Sequence, residues 1–252
     1  MESASAAAPP PPPPPGGGWE GGSPPPSSDA PRLPWEDRRR YGAIPALFMT
    51  IAMLIGSPGK AFSLAIKKGD YASPVFFAVI VGWFGYVAER FWTVVMHWSY
   101  VFFFLPEPLK EQLGDVTDST VGGSILGFVL GFIFFPVLAV VTLFVSSAVL
   151  HLFLLLFDAL RHSRAGFEGT VRAVAYSSVA SLGYFIPFAG TLIVIVWALV
   201  LEVIGASALH DTSKGRAAAA VIVPFVLCCT CIFLFAVTIV AILGMVFAGT
   251  GV

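Results

Sequence analysis

Charge is scarce in this chain. Ionisable side chains (Asp, Glu, Lys, Arg) make up 12% of the residues and hydrophobic ones 57%, against roughly 25% charged in an ordinary soluble domain. Too little polar surface is available to cover the apolar remainder, so a water-soluble globular fold is excluded and a lipid bilayer is the expected partner. The net charge of −1 leaves no electrostatic case for a nucleic-acid partner.

Cysteine is nearly absent, and Cys228, Cys229 and Cys231 fall together in one apolar run. Neighbours on one helix cannot form a disulfide framework. The group is soft enough for copper or zinc, yet cysteine is also an ordinary small apolar packing residue, the simpler reading here. His97, His151, His162 and His210 are dispersed with no zinc spacing. No Gly-x-Ser-x-Gly elbow, phosphate loop or dinucleotide fingerprint occurs, and "GGSILG" lacks a lysine and sits inside an apolar run. A hydrolytic set of Ser177, Ser178, His210 and Asp211 fails because Asp211 directly follows His210 and is badly placed to orient it. No catalytic, cofactor-binding or metal-binding residue is therefore assigned, and no enzyme is expected. The start, "MESASAAAPPPPPP", has neither the basic nor the apolar segment of a cleaved signal peptide.

What the sequence does have is Pro, Gly and Ser up to residue 35, a composition that cannot build a core and is expected to be a disordered tail. Such a tail serves as a spacer or as a ligand for proline-binding domains. Apolar runs then follow. About 20 apolar residues cross a hydrocarbon core of about 30 Å, and five stretches come close: 75–97, 124–157, 171–187, 190–208 and 217–247. The second, with Pro136 as its single breaker, would be about 51 Å long as one helix, and is expected to be tilted and kinked rather than split. Within 36–73 the apolar run Ile44–Ile55 has only 12 residues, too short to span, so the segment reads as interfacial or re-entrant helices on the cytoplasmic leaflet with Lys60, Lys67 and Lys68 near the headgroups. The expected fold is all-α: a five-helix transmembrane bundle with a cytoplasmic amphipathic segment.

Charge sets the orientation. Arginine and lysine gather before Ser73, in 158–172 and in 209–216, whereas the loop 106–121 holds Glu107, Glu111, Asp115 and Asp118 with only Lys110. The positive-inside rule then places the amino terminus in the cytoplasm and the carboxyl terminus on the far side, as in a bacterial inner membrane. The stretch "AYSSVASLGYFIPFAG", 175–190, is expected to be the first arm of a tight hairpin that turns at Pro187 and Gly190. Charge counting does not decide whether this hairpin crosses, because zero and two crossings leave Arg172 and Lys214 on the same side.

Within the runs, Gly123, Gly127 and Gly131 share one helical face at a spacing of four. Such a stripe admits a neighbouring helix closely, either within the bundle or as a homo-oligomer seam. Glu89 and Arg90 are adjacent, about 100° apart on a helix, so their pairing is not assumed. They form a solute site or mark the point where the helix leaves the membrane among Trp92, Trp98 and Tyr100. Glu202 and His151 both approach the inner leaflet, as a bridging pair or as separate groups that snorkel or make structural hydrogen bonds.

The order "PWE" at 34–36, "SPGKAF" at 57–62, "FEGTVRAVAYSS" at 167–178 and "IPFAGTLIVIVWALVLEVIGASALHDTSKGRAA" at 186–218, with Pro224, resembles the Yip domain family, most closely its bacterial version. Its most specific positions fall here on Tyr176, Ser177, Pro187, Gly190, Trp197 and His210. The resemblance covers roughly 34–245 and implies a compact helical bundle with no known catalysis. In eukaryotic members it accompanies binding of Rab-type GTPases, vesicle traffic and membrane shaping. The expected role is a scaffold or interaction protein with a protein partner at its cytoplasmic face. The alternative is a small-solute or ion transporter, suggested by Glu89, Arg90, Glu202 and the broken helix near Pro187.

Overall fold

The computed structural model describes the backbone of residues 31–104 and 114–249, and side chains over 31–96, 126–242 and at 245. The Pro-rich tail before residue 31, and the first half of the acidic loop up to residue 113, lie outside the described residues. Every regular element among the described residues is helical. After a 3-10 turn at Pro34–Asp37 come α1 (Arg38–Tyr41), α2 (Ala43–Gly56), α3 (Pro58–Leu64), α4 (Ala72–Phe104), α5 (Gly114–Leu156), α6 (Gly166–Ser177), a 3-10 helix (Ser178–Phe185), α7 (Gly190–Leu209) and α8 (Lys214–Gly249).

Four helices are long and apolar enough to cross a membrane: Ala72–Met96, Leu126–Leu156, Gly190–Leu209 and Lys214–Ile242. The second run is a single helix that continues through Pro136, as expected, and α8 likewise runs through Pro224. Two boundaries differ. Helix α5 begins at Gly114, so part of the segment read as a loop to 121 is helical. The run 171–187 is not one apolar helix: α6 gives way at Ser178 to a 3-10 helix. The backbone then becomes extended at Ile186 and turns through Phe188, whose φ of 62° lies in the left-handed region. The second arm starts at Gly190, where a Cβ would come within 2.8 Å of the Gly183 carbonyl oxygen, so the turn closes only on a residue with no side chain.

Burial is distributed unusually. The apolar windows of α5 and α8 are almost entirely exposed, leaving their side chains to lipid, whereas α6 is buried along most of its length. Helix α6 therefore forms the centre, with α4, α5 and α7 packed around it. The main core unites Leu33, Trp35, Leu54 and Phe62 of the amino-terminal segment with Phe77, Tyr176 and Leu201 of the bundle. Leu33, Pro34 and Trp35 are buried, so the part of the tail drawn through residue 35 overruns into the core. Helix α2 turns Ile44 (71% exposed), Phe48 (64%) and Ile55 (50%) outward on one face and Ala46, Thr50 and Leu54 inward. That division suits a helix lying at a lipid surface.

Candidate functional site

The loops at one end of the bundle, here termed its base, converge on α6. Glu168, Arg172 and Tyr176 stand at i, i+4 and i+8, so all three side chains lie on one stripe of the helix. That stripe faces the amino-terminal segment rather than lipid. Arg172 Nη1 donates to Glu36 Oε1, and Arg172 Nη2 donates to Glu168 Oε1 at 2.7 Å and to the Asp70 carbonyl at 2.6 Å. Tyr176 Oη donates to the same Glu36 oxygen at 2.9 Å, and the Ile66 N–H donates to Glu36 Oε2 at 2.7 Å. Gly69 N–H closes the ring onto Glu168 at 2.7 Å. The side chains of Arg172 and Glu36 are each only 1% exposed.

Two carboxylates thus share one guanidinium away from water. Burial pushes the Glu36 carboxyl above the usual carboxylate range, while the Arg172 charge and the hydrogen bonds from Ile66, Tyr176 and Arg172 pull against that rise. Arg172 Nε has no partner among the described residues. Beside this junction, Trp35 Nε1 donates to the Ser73 carbonyl at 2.6 Å, and the Trp35 N–H donates to Thr50 Oγ1 at 2.9 Å. Arg38 lies over the Trp35 ring at 4.5 Å, and the Trp35 ring meets Phe77, which in turn meets Tyr176. The segment Pro34-Trp35-Glu36 is therefore tied to α6 by charge, hydrogen bonds and aromatic edges together.

A second polar chain runs through the same end. His210 Nδ1 is 2.7 Å from Ser163 Oγ, its Nε2 is 2.9 Å from Thr170 Oγ1, and Thr170 Oγ1 is 2.8 Å from His151 Nδ1. Thr170 has one hydroxyl proton, so it donates to one ring and accepts from the other. His210 is fully buried. Burial first, and then the nearby His151, hold its ring at about 4, below the ordinary 6.5. Gly169 makes room for it: a Cβ there would come 3.2 Å from His210 Cε1. Asp211 turns away to pair with Lys67.

The family-motif positions separate into two groups. Tyr176 and His210 lie in these two networks, and Ser177 donates to the Ala173 carbonyl at 2.8 Å within α6. Pro187 and Gly190 form the hairpin turn at the other end of α7, and Trp197 is half-buried against the main core. Of the two readings of Glu202 and His151, separate groups hold: no bond joins them, and His151 Nδ1 is 2.8 Å from Thr170 Oγ1. Glu89 and Arg90 do pair, at 3.0 Å, by curling both side chains together on the part-exposed flank of α4. Of the glycine stripe, Gly131 is covered by the Tyr86 hydroxyl within the bundle, Gly127 faces open space, and the surroundings of Gly123 lie outside the described residues.

Between Trp35 and His210 the chain carries the parts of one recognisable module, and the Yip1 domain model matches residues 51–237. The chain belongs to the Yip1 domain family. No curated protein and no solved structure gave a match in the parallel comparisons. As a Yip1-domain protein it is an integral multi-pass membrane protein whose exposed apolar helices contact the bilayer.

Sequence reading passed over Glu36, Glu168, Thr170 and Arg172 as site residues. The available signal was the polar stripe Glu168–Arg172–Tyr176 at helical spacing inside an otherwise apolar segment, a pattern that calls for buried partners.

Proposed function

We propose that this Yip1-domain protein is a membrane-embedded docking scaffold that works without catalysis and presents its base to a protein partner in the cytoplasm. One observation carries the reading: the buried Glu36–Arg172 junction clamps the amino-terminal segment onto the bundle, so that the interfacial helices and the membrane core are held together. Around it Arg39, Arg40, Lys60, Lys68, Arg161 and Arg164 remain exposed, a basic rim that suits a cytoplasmic face and an acidic partner. The polar groups at the base favour structure over turnover. The His210 ring meets two hydroxyls and no carboxylate, and Asp211 is engaged by Lys67.

The test is site-specific photocrosslinking in native membranes, with the reactive group at Arg39, Lys68 or Arg164 and, as control, at lipid-facing Leu192. A defined protein adduct from the base positions and none from Leu192 is expected. A non-crosslinking monomer that moves a solute across liposomes would overturn the scaffold in favour of a transporter.

A further inference from the structure

Hydroxyl side chains in apolar helices usually bond back to a carbonyl one turn earlier. Ser147, Ser177, Thr230 and Thr238 all do so here, at 2.7 to 2.8 Å. Thr142, Ser146 and Ser178 do not. Among the described residues none of the three has a hydrogen-bond partner, and Ser178 Oγ is buried without one. The carboxyl of Glu202, within the membrane-crossing part of α7, is likewise unpartnered.

These four oxygen-bearing side chains converge. A cavity of about 340 Å³ between α4, α5, α6 and α7, open on the side where Thr142 and Ser146 are exposed, is lined by those two with Ser178 and Glu202. A second, of about 430 Å³ between α5, α7 and α8, shares Ser146, Ala198 and Glu202 with it. Neither lining contains a lysine, arginine or histidine. The buried cation of α6, Arg172, is taken by Glu36 and Glu168, and His151 is bonded to Thr170. An unpaired carboxylate at this depth is costly, so a guest that supplies the missing donors and positive charge gains what the protein leaves unmet.

We infer that the paired cavities meeting at Glu202 bind a protonated amine with an apolar body. An ammonium group offers three N–H donors, which suit one carboxylate and two hydroxyls; the aliphatic and aromatic remainder of the walls suits a hydrocarbon tail. Each volume lies in the range of small-molecule sites, roughly 300 to 1,000 Å³. An anionic guest is excluded by the carboxylate. Glu202 lies seven residues before the end of α7, about 10 Å from the base, so a headgroup near the membrane surface and a free amine are both within reach. The site is separate from the junction at Glu36 and stands whether or not the scaffold role holds.

The test uses the full-length protein in phosphatidylcholine nanodiscs at neutral pH, with octylamine, octanol and octanoate as probes of one chain length and three headgroups. Octylamine is expected to bind saturably and raise the melting temperature, while the other two do not. Glu202→Gln should weaken octylamine binding at least tenfold, Ser178→Ala several-fold, and Ala198→Leu several-fold by crowding the point where the two cavities meet, with Glu202 still present. Helical circular dichroism and unliganded melting identify any variant that fails to fold. Adding phosphatidylethanolamine distinguishes the sources: competition with octylamine assigns the guest to a lipid headgroup, and no competition assigns it to a free amine. Equal stabilisation by octanol, or unchanged octylamine affinity in Glu202→Gln, would overturn the inference.

Discussion

Replacing Arg172 by methionine isolates the strength of the clamp, because methionine keeps much of the arginine stem and removes only the charged fork. In the native protein the guanidinium gives one hydrogen bond to Glu36, one to Glu168 and one to the Asp70 carbonyl. Without it, Glu36 retains the Ile66 and Tyr176 donors and Glu168 retains Gly69, but two buried carboxyl groups face each other with no cation. Removing one member of a buried ion pair typically costs about 3 to 5 kcal/mol, and that range is expected here. Glu36→Gln should cost less, on the order of 1 to 3 kcal/mol, because the remaining Arg172–Glu168 pair is still balanced and one polar acceptor survives. In the double variant the stranded charge at position 36 is gone, so its cost should fall short of the sum of the singles by roughly 1 to 3 kcal/mol. Denaturant titration in mild detergent gives all three values, and protease cutting within 65–71 reports release of the amino-terminal segment. An Arg172→Met protein within about 1 kcal/mol of wild type, or additive single variants, would refute the clamp.

Four further outcomes are expected. His210 is held at about 4 against an ordinary 6.5, so its contribution is fully present above about 6.5 and is lost as pH falls toward 4. The difference corresponds to roughly 3 kcal/mol, and denaturant titrations at several pH values should show a loss that His210→Gln lacks. Gly85→Ala should destabilise by about 1 to 3 kcal/mol, because its Cβ would lie 2.6 Å from Ser181 and 2.8 Å from the Ser181 carbonyl. Gly127→Ala meets nothing within 4 Å and should stabilise by about 0.5 to 1 kcal/mol through helix propensity, as thermal melts would show; a shift in oligomeric state on sedimentation would mark that face as a seam. Ala189→Cys should react with a membrane-impermeant thiol reagent only from the side opposite Lys214 once the native cysteines are replaced, and labelling from the Lys214 side would mean the hairpin does not cross.

Local pattern explains what could be read in advance. The apolar runs, the uninterrupted passage through Pro136 and the restart at Gly190 are properties of neighbouring residues, so hydropathy and breakers reveal them. The junctions are not local. Glu36 and Tyr176 lie 140 residues apart and Thr170 and His210 lie 40 apart, distances over which helical periodicity carries no information. The family resemblance singles out Tyr176 and His210, while their partners Glu36 and Thr170 lie in its quoted stretches without being distinguished from their neighbours. The change from α to 3-10 helix at Ser178 was hidden for a different reason: its sequence is as apolar as a span, and packing against α4 and α7 sets the geometry.

The clamp joins the segment at residues 33–37 to a helix synthesised much later. Arg172 follows Glu36 by 136 residues, and at about 5 to 20 residues per second the ribosome takes roughly 7 to 27 s to cover that interval. Through that time Trp35, Leu54 and Phe62 have no bundle to enter. The outward apolar face of α2 suits adsorption of the nascent segment on the bilayer, where a two-dimensional search would replace a three-dimensional one when α6 arrives.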